Sequence, residues 1–238
     1  MMNYQVFETP DHVVTSLAET LLAYGKENRP VHISLSGGST PALLFKTLAQ
    51  SPWAESIAWQ NLHFWWGDER CVGPEDPESN YGKTKALLFD HIAIPAENIH
   101  RIRGENFAAE EAGRFAEEML AEIPLKEGVP AFDWVILGMG TDGHTASLFP
   151  GQTDYDTTEI AAIAAHPENR QIRVTKTAHL IRHAKRITYL VMGASKASVI
   201  KEIHDEAEQA TAYPAAQVKA IDGLTEWYLD SEAAQELA

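Results

Sequence analysis

Apolar positions recur along this chain with two periods in alternation, one helical and one extended. Val14, Leu17, Ala18 and Leu21 fall at i, i+3, i+4 and i+7, the stripe of an amphipathic helix. Thr9, Pro10 and Asp11 signal its start and Gly25 its end. Val31 to Leu35 alternates as a strand and runs into Ser36, Gly37, Gly38, Ser39, Thr40 and Pro41. There Thr40 predicts a cap and Pro41 a first helical position, and Pro41, Leu44, Phe45 and Leu48 repeat the stripe. His63 to Trp66 reads as a second strand, and Ser79 and Asn80 as caps of a helix carrying Leu87, Leu88 and Ile92. From Asn106 to Ile123 the pattern predicts a helix with Ala112, Phe115, Ala116 and Met119 on one face and glutamates on the other.

Trp134, Val135, Ile136 and Leu137 form a continuous apolar run, the pattern of a central parallel strand covered on both faces. Residues 152 to 165 are polar and give no assignment. Arg170 and Ile172 to Thr175 predict a short strand whose basic residues face one way, and Ile187 to Met192 a buried one. A turn, Gly193 to Lys196, then leads into a helix through Val199, Ile200 and Ile203. Trp227 to Leu229 predict a last strand, with a short helix after it capped by Asp230 or Ser231. Strands alternating with helices predict an α/β fold with a mostly parallel sheet, and 238 residues suit a single domain, 1–238.

Composition narrows the function. A net charge of −15 argues against nucleic acid or an anionic membrane surface as partner. Cys71 is the one cysteine, so no intrachain disulfide can form and the cytoplasm is the expected compartment. The first residues show no signal-peptide pattern, and no stretch has the length of a membrane span. No His, Cys or Asp cluster has metal-ligand spacing, so neither metal nor cofactor is expected. Protein partners are left unspecified.

The candidate chemistry lies where strands end. Leu137 to Pro150, LGMGTDGHTASLFP, passes in four residues from buried strand to glycine loop. Gly138, Gly140 and Gly143 allow sharp turns and close backbone approach to a ligand, while Asp142 and His144 add a carboxylate and an imidazole. The spacing also fits the dinucleotide fingerprint GxGxxG, but the stretch from His144 to Gly151 is too short and too broken by proline to be the crossover helix that motif requires. The strand, Gly37–Thr40 loop and helix start aim unpaired N–H groups at one point, which suits a phosphate. Without the lysine of a nucleotide-binding GxxxxGK[ST] loop, the expected ligand is a small phosphorylated metabolite. Arg70 has the forked donors of a bidentate anion contact, and Asp68 beside it reads either as a catalytic acid or as half of an ion pair. Asn80 can reach a sugar hydroxyl. Lys196 sits where a helix dipole disfavours a cation, which makes sense if an anion binds there.

These residues together resemble the 6-phosphogluconolactonases, end to end. The resemblance is carried by Ser36–Pro41 (SGGSTP), Asp68–Val72 (DERCV) with Ser79 and Asn80, Leu137–Gly151 (LGMGTDGHTASLFPG), the strand bearing Arg173, and Gly193–Ala197 (GASKA). It implies a three-layer, Rossmann-like fold similar to that of the glucosamine-6-phosphate deaminases. From those more distant deaminases the chain departs at Asp68–Arg70, where they have DEY, and after His144, where they continue IAFNEP. The resemblance implies hydrolysis of a sugar-phosphate δ-lactone. His144 would be general base, with Asp142 or Asp68 orienting it or binding hydroxyls. Backbone N–H groups of either glycine loop would hold the oxyanion. Gly37, Gly38, Ser39, Thr40, Arg70, Arg173 and Lys196 would bind the 6-phosphate. A deaminase and a non-catalytic sugar-phosphate sensor are the competing readings.

Overall fold

The computed structural model describes residues 2–237. In chain order the elements are β1 (Tyr4–Phe7), α1 (Pro10–Gly25), β2 (Val31–Leu35), α2 (Ser39–Leu48), α3 (Trp53–Ser56), β3 (Leu62–Trp66), β4 (Asp68–Arg70) and α4 (Asn80–Leu87). Next come β5 (Ile99–His100), α5 (Ala108–Glu122), β6 (Leu125–Lys126), β7 (Val129–Pro130), β8 (Trp134–Leu137), β9 (Ala161–Ala165) and β10 (Ile172–Lys176). The chain closes with α6 (Ala178–Arg182), β11 (Arg186–Val191), α7 (Ala197–His204), α8 (Pro214–Gln217) and β12 (Leu224–Asp230). No helix among the described residues is long and apolar enough to cross a membrane.

Seven strands form the main sheet in the order β1-β12-β11-β8-β2-β3-β5, and every pairing in it is parallel. The order jumps at β8-β2, so consecutive connections leave the sheet's carboxyl edge in opposite directions and open a crevice there. A second sheet, β4-β10-β9, is antiparallel and carries the chain across that edge. β8 is buried throughout, as a strand covered on both faces must be. β2 is buried throughout as well, although its alternating sequence suggests a half-exposed strand. Its polar side chains are buried because each has a partner. Trp65 Nε1 donates to His32 Nδ1 at 3.2 Å, and Lys176 Nζ lies 2.7 Å from Ser34 Oγ.

Local signals decided several boundaries. The Thr9 side chain accepts the His12 N–H and caps α1, and Ser79 likewise caps α4 through the Gly82 N–H. α2 begins earlier than predicted. Its cap is Gly38, with φ 111° and no side-chain bond, so Thr40 and Pro41 are already inside the first turn. A residue with a Cβ would resist that φ, and glycine lets the chain enter the helix sooner. Arg170 is not in β10; it has φ 59° in a turn closed by His166 and Gln171, which leaves Arg173 as the strand's arginine. The glutamates of α5 do not all face solvent, since Glu111 is buried and accepts from Arg103 N, Asn106 and Arg114. The helix predicted after β12 does not form; Asp230 caps only a turn at Ala233 and also accepts the Gly193 N–H.

Candidate active site

A cleft of about 470 Å³ opens at the carboxyl ends of β2, β3, β8 and β11. Its walls are the Ser36–Pro41 loop after β2, Asp68 and Arg70 after β3, Gly138–Gly140 and His144–Ala146 after β8, and Ser195 and Lys196 after β11. Arg173 enters from β10 and Asn80 from α4. Residues from both halves of the chain therefore meet because parallel strands present all their carboxyl ends on one side.

His144 lines the cleft and is bonded twice to Asp142. His144 Nδ1 lies 2.6 Å from Asp142 Oδ1, which also accepts the His144 backbone N–H at 3.1 Å. An ionised carboxylate can only accept, so the ring proton belongs on Nδ1 and Nε2 keeps its lone pair. Burial pushes the Asp142 carboxyl up, but the His144 N–H and then the His144 charge outweigh this and hold it below the usual carboxylate range. The imidazole packs on the Phe149 ring with centroids 5.1 Å apart, and the Arg173 guanidinium lies 6.0 Å from the same ring. Gly140 makes the approach possible: a Cβ there would stand 2.2 Å from His144 Nδ1.

The backbone N–H groups of Gly140 and Gly143, which the sequence offers to a ligand, are both engaged within the loop. Gly140 N–H donates to the His144 carbonyl at 2.9 Å, and Gly143 N–H to the Gly140 carbonyl at 3.1 Å. Gly143 does not line the cleft, and neither does Asp142, which is hydrogen-bonded to His144. In the Gly37–Thr40 loop, by contrast, the N–H groups of Gly37 and Gly38 have no partner among the described residues. That loop is able to donate to an anion.

Asp68 has other partners than His144. Ser147 Oγ donates to its Oδ2 at 2.6 Å, and Arg173 Nη1 stands 3.8 Å from the same oxygen. The register of β4 on β10 sets Arg70 opposite Arg173, so two guanidinium groups share one wall. Burial lowers the Arg173 pKa, with Asp68 opposing and Arg70 adding to the fall. Among the described residues neither arginine's buried Nε has a partner. Buried donors of this kind call for an acceptor. Lys196 is half-buried, and burial lowers its pKa against the charge of Asp142.

Asn80 lines the cleft, but its amide is turned into the wall: Nδ2 donates to the Asp68 carbonyl at 3.0 Å. Its Oδ1 packs where a Cβ on Gly37 would fall, 2.0 Å away, so the glycine is required by this contact. Glu69, to which sequence reasoning assigns no role, organises the wall. Its carboxylate accepts the N–H groups of Arg70, Asn80 and Tyr81 and the Ser79 hydroxyl, fixing the start of α4. Burial raises its pKa against those three N–H donors. Ser147 is missed by sequence reasoning too; it lies inside the LGMGTDGHTASLFP stretch with nothing to mark Asp68 as its partner. No group of three or more His, Cys, Asp or Glu among the described residues is placed to hold a metal ion.

The arrangement is therefore a carboxylate-oriented imidazole beside cations and free backbone donors, suited to water-dependent chemistry on an anionic small molecule. A 6-phosphogluconolactonase of Haemophilus influenzae is 62% identical over 236 residues, covering 99% of this chain and 100% of that protein. A crystal structure of the devB protein superposes with a TM-score of 0.98, at 57% identity and over 100% of both chains. A monomeric glucosamine-6-phosphate deaminase shares the fold, with a TM-score of 0.82 over 99% of this chain and 100% of its own, at 20% identity. Residues 7–227 match the family model for glucosamine-6-phosphate isomerases and 6-phosphogluconolactonase, and the chain belongs to that family.

Proposed function

We propose that this chain hydrolyses 6-phospho-D-glucono-1,5-lactone to 6-phosphogluconate, with His144 as general base and no metal. The observation that carries the mechanism is the 2.6 Å bond from His144 to Asp142, on the edge of a cleft that also holds Arg70, Arg173 and Lys196. The high identity to a named lactonase over the full length supports the choice of substrate. Nε2 of His144 takes a proton as water attacks C1, and Asp142 stabilises the imidazolium that forms. The C1–O bond to the ring oxygen then breaks. That oxygen takes the proton back from His144, leaving a hydroxyl group and a carboxylic acid, which releases its remaining proton to solvent as the carboxylate forms.

The 6-phosphate is held by the Gly37–Thr40 loop with Arg173, Lys196 and Arg70, and this remote anchor places C1 against the water. Asp68 holds Arg173 in position and is not the orienting carboxylate. A cytoplasmic setting belongs to the same proposal, supported by the single Cys71. The test is the enzyme-dependent initial rate of wild type and His144→Asn from pH 5 to 8, with spontaneous hydrolysis subtracted. The variant should bind a non-hydrolysable 6-phosphate sugar acid normally while kcat falls roughly 10²- to 10⁴-fold. Normal binding with a rate within a few-fold of wild type would show that His144 is not the base.

A further inference from the structure

The catalytic pair flanks a glycine that is gripped from outside its own loop. Gly143, between Asp142 and His144, has φ 77°, a conformation that glycine enters and leaves freely. Its carbonyl accepts the N–H of Ala215 at 3.0 Å. On its Cα side stands Tyr213: a Cβ on Gly143 would lie 2.5 Å from Tyr213 Cγ and 2.7 Å from Cδ1. The ring is itself tied down, because Tyr213 Oη donates to Glu202 Oε2 at 2.5 Å, and Glu202 lies on α7. The helix that begins after Lys196 thus reaches the catalytic loop through one tyrosine. The bonds from Gly140 N–H to His144, from Gly143 N–H to Gly140 and from His144 to Asp142 all lie within the 140–144 segment, so they shape the loop without fixing it to the body of the protein.

We infer that Tyr213 is a positioning residue for the proton-transfer pair: its ring, anchored by Glu202, braces Gly143 and holds Asp142 and His144 in register with the cleft. The inference rests on the reading of His144 as general base. A movement of Gly143 displaces both partners of the 2.6 Å bond together, and swings Nε2 away from the water it must deprotonate. Misplacement of a reacting group by about 1 Å can lower a rate on the order of 100-fold. Tyr213 touches no reacting atom in this account; the Gly37–Thr40 loop, Arg70 and Arg173 stand on other elements, so binding should be little affected.

The experiment is a double-mutant cycle of initial rates, with spontaneous hydrolysis subtracted, on wild type, Tyr213→Ala, His144→Asn and the double variant, with Tyr213→Phe alongside. Tyr213→Ala should lower kcat roughly 10- to 100-fold with KM within about threefold. Tyr213→Phe keeps the ring over Gly143 but loses its bond to Glu202, and should recover part of that loss. In the His144→Asn background the alanine change should alter the residual rate by less than about twofold, because no base remains to be positioned. An equal fall in both backgrounds, an effect confined to KM, or a Tyr213→Ala kcat within about twofold of wild type overturns the inference. If Tyr213→Ala does not fold, Tyr213→Leu is read by the same criteria. A fully active His144→Asn removes the base assignment and this inference with it, whereas an inactive His144→Asn beside a silent Tyr213→Ala removes the brace alone.

Discussion

Replacing Asp142 by asparagine keeps the shape of the His144 contact and removes only its charge. Two arrangements are then open to the amide. Turned with its NH2 towards Nδ1, it would force the ring proton onto Nε2 and block the base. With its carbonyl towards Nδ1 the tautomer is preserved. The structure favours the second, because Asp142 Oδ1 also accepts the His144 backbone N–H at 3.1 Å, and only an oxygen can serve both donors. The loss is therefore that of charge assistance: a hydrogen bond to a charged group contributes about 1.5–3 kcal/mol and a neutral one about 0.5–1.5. The difference is about 1–1.5 kcal/mol, and the Asp142 side chain is 47% exposed, so solvent screening keeps it at the lower end. At about 1.4 kcal/mol per factor of ten, kcat should fall roughly fivefold to tenfold.

KM should stay within a few-fold of wild type, since Asp142 does not line the cleft. The Asp142 carboxyl is held below its usual range, so its contribution persists above that range and is lost only as pH falls through the lowered value. It is ionised throughout an assay from pH 5 to 8, so a change of rate inside that window does not come from Asp142. The assay is acid release with spontaneous hydrolysis subtracted, on wild type, Asp142→Asn and Asp142→Ala. A loss as deep as that of His144→Asn would refute the tautomer argument. An Asp142→Ala enzyme as fast as wild type would refute the orienting role altogether.

The same geometry carries expectations elsewhere in the molecule. Arg173→Ala should lower kcat/KM for the phosphorylated lactone roughly 10- to 100-fold and leave unphosphorylated gluconolactone nearly unchanged; equal losses on both would mean that Arg173 does not read the phosphate. Lys176, with no exposed surface, lies 3.6 Å from the centre of the Phe132 ring, and burial lowers its pKa well below the usual value. The unfolded chain then binds a proton that the folded chain does not, so wild-type stability should rise with pH by about 1.4 kcal/mol per unit between the lowered pKa and 10.5. Lys176→Met should abolish that slope, and melting curves of both proteins from pH 6 to 10 that run parallel would refute it. Gly37→Ala should impair folding or activity, because its Cβ would stand 2.0 Å from Asn80 Oδ1, and unchanged stability and rate would place that wall elsewhere.

Much of this protein is written locally. The stripe from Val14 to Leu21, the buried run Trp134–Leu137 and the caps at Thr9 and Ser79 each depend on neighbours within a turn or two, and all form as the sequence predicts. The loop that carries His144 and Asp142 is legible as a glycine turn after a strand, but their 2.6 Å contact is not, since the sequence leaves Asp142 and Asp68 both open as partners of the imidazole. β1 is not legible: four mostly exposed residues become a strand only because β12, more than 200 positions later, supplies their hydrogen bonds. Asp68–Arg70 looks like a loop and is a strand, because β10 offers it an edge. The same pairing brings Arg173 to 3.8 Å from Asp68, which also accepts from Ser147, contacts that no motif announces. Burial of His32, Ser34 and Lys176 has no sequence signal either, since a polar residue enters a core only when distant partners and covering surface are already in place. Tyr213 against Gly143 is the extreme case, a contact of shape between segments 70 residues apart that neither periodicity nor motif encodes.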